Sequence, residues 1–198
     1  MRRPVPSTQD FQFIAGSLCL DFVNTVGNRL GASRDYIAGP KDVLRWVRHL
    51  KSLSPARSIR ITVADLKDIR RRRAYLYALF LPFAQGKNVV RLRALTELNR
   101  DIAAFPHRRV LRRRGANFEW VLEGPGAEWL AHAILSDAAE LLVSGLCTRI
   151  RQCQDAFCGW LYLDRSRENN RRWCSMRDCG NRAKARRYYA QHHRRSGE

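Results

Sequence analysis

The 198-residue chain is short of negative charge. It holds 18 Asp and Glu against 37 Lys and Arg, a net charge of +19 at pH 7. That balance points to a polyanionic partner, nucleic acid first, with an anionic membrane surface or an acidic protein behind it. Lysine is scarce too: only Lys41, Lys51, Lys67, Lys87 and Lys184 are present, and the other 32 basic residues are Arg. A GC-rich genome would account for Arg in place of Lys, but not for the excess over acids. No apolar run approaches the roughly 20 residues needed to cross a bilayer, which excludes a transmembrane helix. There is no phosphate-cradling glycine loop, no Gly-x-Ser-x-Gly and no His-Glu-x-x-His. The five histidines (49, 107, 132, 192 and 193) accompany no nucleophile motif, so no catalytic residue is expected. A secretory pattern is missing as well: Met1-Arg2-Arg3 is followed by polar residues to Asp10, and the apolar stretch Phe13 to Leu20 runs into Asp21. A reducing cytoplasm is the expected compartment, where clustered cysteines favour metal over disulfides.

What is present is enough apolar material for a core, 45% of residues, which excludes global disorder. The length allows one domain, or one plus a small module. Residues 11–26 mix partial alternation with a compact apolar run and read as either strand or helix. Gly39-Pro40 opens a short helix with Val43, Leu44, Val47 and Leu50 on one face. A longer helix begins at Thr62, where Thr62 and Asp65 resemble a capping box. Pro82 should kink or end it, and Gly86 can cap it. Val89, Leu92, Leu95, Leu98 and Ile102 mark another helix. Residues 109–123 read as a hairpin turning at Gly115-Ala116-Asn117, and a last helix runs from about Pro125 to Ile150. Arg70 to Arg73 and Arg112 to Arg114 read as solvated charge, with some of the first run snorkelling, pairing with acids or contacting a phosphate as the alternative. The composition shifts near Arg149 to a Cys- and Arg-rich segment with few aliphatics. The expected organisation is therefore α+β: a mostly helical domain with a small β-hairpin over 1–148, then a four-cysteine finger over 149–198.

The strongest motif is Cys153-x4-Cys158, 15 intervening residues, and Cys174-x4-Cys179. Two close pairs at this separation suit one structural, tetrahedral Zn2+ held by four thiolates, with no position left for a reactive water. Each pair forms a knuckle. Trp160-Leu-Tyr-Leu163 is a candidate first strand of a hairpin lying between the knuckles, and a helix follows from Asn181 to His193. A segment so poor in aliphatics needs the metal to fold. Disulfides and an iron–sulfur cluster are the weaker readings of the same four residues. Cys19 and Cys147 sit in apolar contexts and read as core.

Arg171-Arg-Trp-Cys-Ser-Met176, Cys179-Gly-Asn-Arg182 and Lys184-Ala-Arg-Arg187, with Asp164-Arg-Ser166 and Asn169, resemble the CGNR zinc-finger family. Leu18-Cys-Leu-Asp-Phe-Val-Asn-Thr25 resembles the opening of the ABATE domain, the usual N-terminal companion of that finger. The resemblance implies a bacterial, stress-linked transcription regulator. The finger would bind DNA, and the first domain would sense an unidentified small molecule or dimerise.

On the helix after Cys179, Arg182 and Arg186 share a face and are expected nearest to base edges. Arg171, Arg172, Lys184 and Arg187 are expected on phosphates. Asn181 reads as a cap or a bond to the knuckle, and Trp173 as core. Asp21 and Asn24, polar residues within an apolar run, read equally as ligand contacts or as partners of local backbone. The favoured partner is double-stranded DNA, with no membrane, and a homodimer is expected because one finger offers few base contacts. The rival readings are an RNA-binding protein, with Tyr188-Tyr189 stacking on bases, and a ligand-binding or enzymatic N-terminal domain whose finger contacts a protein.

Overall fold

Helix α3, Val63–Ala84, is the element the others pack on. It starts where the sequence signal places it. Thr62 Oγ1 accepts from the Asp65 N–H (3.2 Å), and the Asp65 carboxylate accepts from the Thr62 N–H (2.7 Å). It passes Pro82 by two residues and stops before Gly86, which sits at φ +73°. The architecture is that of a computed structural model describing residues 11–50, 60–87, 89–104, 109–122 and 126–195. Glu123, Pro125 and His107, and the side chains of Trp120, Leu122, His193 and Arg194, lie outside the described residues.

Chain order is α1 (Leu18–Val23), β1 (Val26–Gly27), β2 (Arg34–Asp35), α2 (Pro40–Arg48), α3, α4 (Leu92–Ala104), β3 (Arg109–Arg114), β4 (Asn117–Leu122) and α5 (Gly126–Val143). A single tight turn, Leu146–Arg149, leads to β5 (Ile150–Gln152) and β6 (Leu161–Leu163), and α6 (Asn181–Arg195) follows. Among the described residues the three sheets are two-stranded antiparallel ribbons. The ambiguous stretch 11–26 contains a helix, because Cys19 to Val23 are buried on every side. A two-sided strand would not bury such a run without sheet neighbours.

The last helix of the first domain is shorter than expected. Leu142, Leu146 and Ile150 keep helical spacing, but Gly145 takes φ +73° and ends the helix at Val143. Ile150 then enters a strand.

Arg70 to Arg73 are not a solvated face. Arg73 is buried and grips Asp35 with both Nη atoms (2.7 and 2.5 Å), and it also donates to Thr25 Oγ1. Arg71 donates to both oxygens of buried Asp101 and to Glu97, Arg72 donates to Asp101, and Arg70 bonds to the Ala38 carbonyl. The run ties α3 to α4 on one side and to β2 on the other. Four consecutive residues point around the whole helix, so each meets a different neighbour.

The chemical boundary near Arg149 is not a break in packing. Ile150, Leu161, Tyr162 and Leu163 belong to the same buried core as Leu20, Phe22, Leu76 and Leu79. Ribbon β5–β6 lies against α1 and α3, and the segment 15–30 lines its edge. The Leu163 N–H donates to the Ala15 carbonyl (2.8 Å). Asn24 acts as a stand-in for a peptide unit: its Nδ2 donates to the Leu161 carbonyl (2.7 Å) and its Oδ1 accepts from the Leu161 N–H (3.0 Å). Trp160 Nε1 donates to the Val26 carbonyl and Tyr77 Oη to the Gly159 carbonyl, both at 2.9 Å. Both amide groups of Asn24 are therefore taken up by backbone, the structural alternative of the sequence reading. Asp21 Oδ1 accepts from the Ala15 N–H (2.9 Å) and shapes the entry to α1.

Two outcomes follow from this packing. Asn24→Ala leaves a buried donor and a buried acceptor of Leu161 unpaired, and should cost about 2–4 kcal/mol in a denaturant titration. Burial pushes the Asp21 carboxyl from its ordinary 3.8 up to about 7, with nearby Asp137 adding to the rise, against the pull of the Ala15 and Ile14 N–H groups. The folded chain then holds a proton that the unfolded chain has released, so stability falls as pH rises from about 4 to about 7. Asp21→Asn should flatten that portion of the stability–pH curve.

Candidate metal centre

Ribbon β5–β6 builds the first knuckle. The Cys153 N–H donates to the Trp160 carbonyl (2.8 Å) and the Cys158 N–H to the Asp155 carbonyl (3.2 Å), which folds 153–158 into the loop of the hairpin. The hairpin's first strand therefore precedes Cys153. The expectation that Trp160–Leu163 opens a hairpin between the knuckles is corrected: Leu161–Leu163 is the second strand, paired to Ile150–Gln152. Its partner begins at Ile150, which the sequence pattern places at the end of a helix. Gly159, at φ +69°, passes so close to Arg29 that an added Cβ would lie 2.9 Å from the Arg29 Cβ. There the Arg29 and Leu30 N–H groups reach the Cys158 and Phe157 carbonyls (3.0 and 3.2 Å).

The second knuckle is set by Asp164, whose side chain is buried. It accepts from the Ser166 and Arg171 N–H groups (2.9 and 2.8 Å). Burial alone would raise its carboxyl, but these bonds hold it below the ordinary range. Asn169, at φ 51°, turns the chain back. Tyr162 Oη donates to the Arg171 carbonyl (2.5 Å), and the Gln154 N–H to the Arg172 carbonyl (3.0 Å). Ser175 then caps a wide turn, Met176–Gly180, that delivers Cys179 just before α6. Asn181 donates to the Arg177 carbonyl (2.9 Å), a bond within the knuckle.

Cys153, Cys158, Cys174 and Cys179 are all buried, and their Sγ atoms lie within 4.8 Å of one another. Cys158 and Cys174 are 3.7 Å apart, and Cys174 and Cys179 are 3.5 Å apart. A tetrahedral ion with bonds of about 2.3 Å to sulfur separates its ligands by about 3.8 Å, so the four residues fit zinc. They are too far apart for S–S bonds, and all four cysteines are free. Cys19 and Cys147 are buried elsewhere in the core.

The structure reassigns the finger's cations. Arg182 Nη2 reaches Cys179 Sγ (3.0 Å), and its Nε reaches Asp155 Oδ2 (3.4 Å). Arg186 Nη2 donates to the same oxygen (2.8 Å). The pair expected at base edges bonds to Asp155, a buried acid of the first knuckle, while 44% of the Arg182 and 40% of the Arg186 side-chain surface stays exposed. Arg171 donates to the Trp173 and Cys174 carbonyls and lies over the Tyr162 ring (4.4 Å). Arg172 donates to Gln154 (2.7 Å) beside the Trp173 ring. Lys184 and Arg187 are exposed. Asp155 went unnoticed in the sequence, although its place inside the first knuckle was a usable signal.

Fold and site together define a zinc-finger protein, with one structural Zn2+ held by four thiolates and the finger built onto a helical body. A family model for ABATE, described as "Putative stress-induced transcription regulator", matches residues 16–145, and a CGNR zinc-finger model matches 149–192. The chain belongs to the ABATE family and carries a CGNR finger at its C-terminal end. No curated protein matches it. Among the described residues no helix is long and apolar enough to cross a membrane.

Metal content separates the two kinds of cysteine. Cys174→Ala should abolish stoichiometric zinc and lower the melting temperature by more than about 10 °C. Cys19→Ala and Cys147→Ala should keep one zinc per chain by elemental analysis.

Proposed function

We propose that this protein is a transcription regulator that binds duplex DNA through the outer face of α6. The observation that carries the reading is the division of that helix. Arg182 and Arg186 point to the knuckle. Lys184, Arg187, Tyr188 and Gln191, at i, i+3, i+4 and i+7, form the opposite face, and all four are exposed. From Arg187 to His192 every residue is exposed. A helix of 15 residues is about 22 Å long, so its outer turns are free to lie in a major groove.

Lys184 and Arg187 replace Arg182 and Arg186 as the nearest cations to nucleic acid, with Tyr188 and Gln191 beside them. Exposed Arg167, Arg177 and Arg172 supply further positive charge around the finger. Asp35, Asp101 and Asp155 each bond to arginine. The net charge of +19 favours a phosphate backbone. The helical body holds the finger in place, and dimerisation would set the spacing of two half-sites.

The test is selection from a random duplex pool across a salt series, using the zinc-loaded full chain. Enrichment of a sequence with a steep salt slope supports the reading. Lys184→Ala with Arg187→Ala should reduce that slope by about 2. A slope without enrichment, or a preference for single strands, favours general polyanion or RNA binding, with Tyr188 and Tyr189 as stacking surfaces. No binding at low salt overturns it.

A further inference from the structure

We infer that Arg182 is a positioning residue of the metal centre. Its guanidinium holds the Cys179 thiolate, and with Asp155 and Arg186 it forms a clamp that closes the two knuckles around the ion. Four observations converge on it. The Arg182 Nη2 lies 3.0 Å from Cys179 Sγ, within the range of a charge-assisted N–H···S bond. The same side chain reaches Asp155 Oδ2 through Nε. Asp155 has no exposed side-chain surface and belongs to the opposite knuckle, where its Oδ1 accepts from the Phe157 N–H (3.1 Å). Arg186, one turn further along α6, donates to the same Oδ2 and lies 5.6 Å from the Phe157 ring.

The electrostatics give the clamp its purpose. Four thiolates on one Zn2+ leave a net charge of about −2 in a buried place, where an uncompensated charge is costly. Asp155 adds a further negative charge against that centre. Arg182 and Arg186 supply two positive charges on the near side of α6 and neutralise most of it. Outer partners of this kind orient a ligand and tune how firmly it keeps the metal. The first turn of α6 thus completes the metal centre, while Arg182 and Arg186 keep part of their side chains in solvent.

The test uses zinc-loaded full chain and does not involve DNA. Zinc transfer to a chromophoric chelator is timed for wild type, Arg182→Gln, Arg182→Lys, Asp155→Asn and the exposed control Arg167→Gln, with helix content checked by circular dichroism. Arg182→Gln should release zinc about ten-fold faster, within the range seen for lost outer-shell partners. Arg182→Lys, which retains a charged donor, should fall between Gln and wild type, and Arg167→Gln should match wild type. With Co2+ in place of zinc, the sulfur-to-metal charge-transfer bands of Arg182→Gln should shift, because one thiolate loses its donor; a merely structural role would leave them in place. If Arg182→Gln does not fold, Asp155→Asn and Arg182→Lys carry the same comparison. Release rates and Co2+ bands equal to wild type in the folded variants, or an equal acceleration in Arg167→Gln, would overturn the assignment.

Discussion

The convergence of four buried thiolates is the constraint on which the C-terminal part of this molecule depends. The segment after Arg149 has too few aliphatic side chains to fold around a core of its own, and its elements before α6 are short: two strands of three residues and one wide turn. An isolated ribbon of that size is unstable in water. Closing Cys153 and Cys158 against Cys174 and Cys179 fixes the ribbon, the return loop and the start of α6 at once. Cysteine also suits the site because its ligands lie deep, with no room for water-bearing positions.

The metal does not act alone. One edge of β6 needs hydrogen-bond partners, and the helical body supplies them through Asn24 and Ala15, while Arg29 and Leu30 hold the knuckle itself. The stretch 15–30, which opens the ABATE match, is thus the surface the finger is built on. The finger in turn contributes Ile150, Leu161, Tyr162 and Leu163 to the common core. Body and finger differ in composition and in family match, yet they share one packing unit. A change at the metal therefore reaches α1 and α3 through direct contacts.

Much of this was legible in the sequence. The cysteine spacing specified the ligand set and its chemistry, and the Thr62 cap, the Pro40 start and the Gly115 turn each appear where local signals put them. What escaped was long-range. Asn24 finds its partner 137 positions away, and nothing near it in sequence names Leu161. Ile150 keeps helical spacing with Leu142 and Leu146, and the left-handed turn at Gly145 separates it from them. Periodicity shows that Arg182 and Arg186 share a face but not what that face meets, and their bonds to buried Asp155 could not be read from it. Arg70 to Arg73 were misjudged likewise, because charge runs look solvated until their acids are located.

The central claim is that finger and body form one cooperative unit held by the metal. Amide hydrogen exchange on the full chain, with zinc bound and after chelation, tests it most directly. The account predicts that chelation removes protection from Leu161 and Leu163 and, together with them, from Arg29 and Leu30 in the body, whose partners are the Phe157 and Cys158 carbonyls. Protection of Arg29 and Leu30 that persists in the metal-free chain, while the finger exchanges freely, would contradict it and make the finger an independent module.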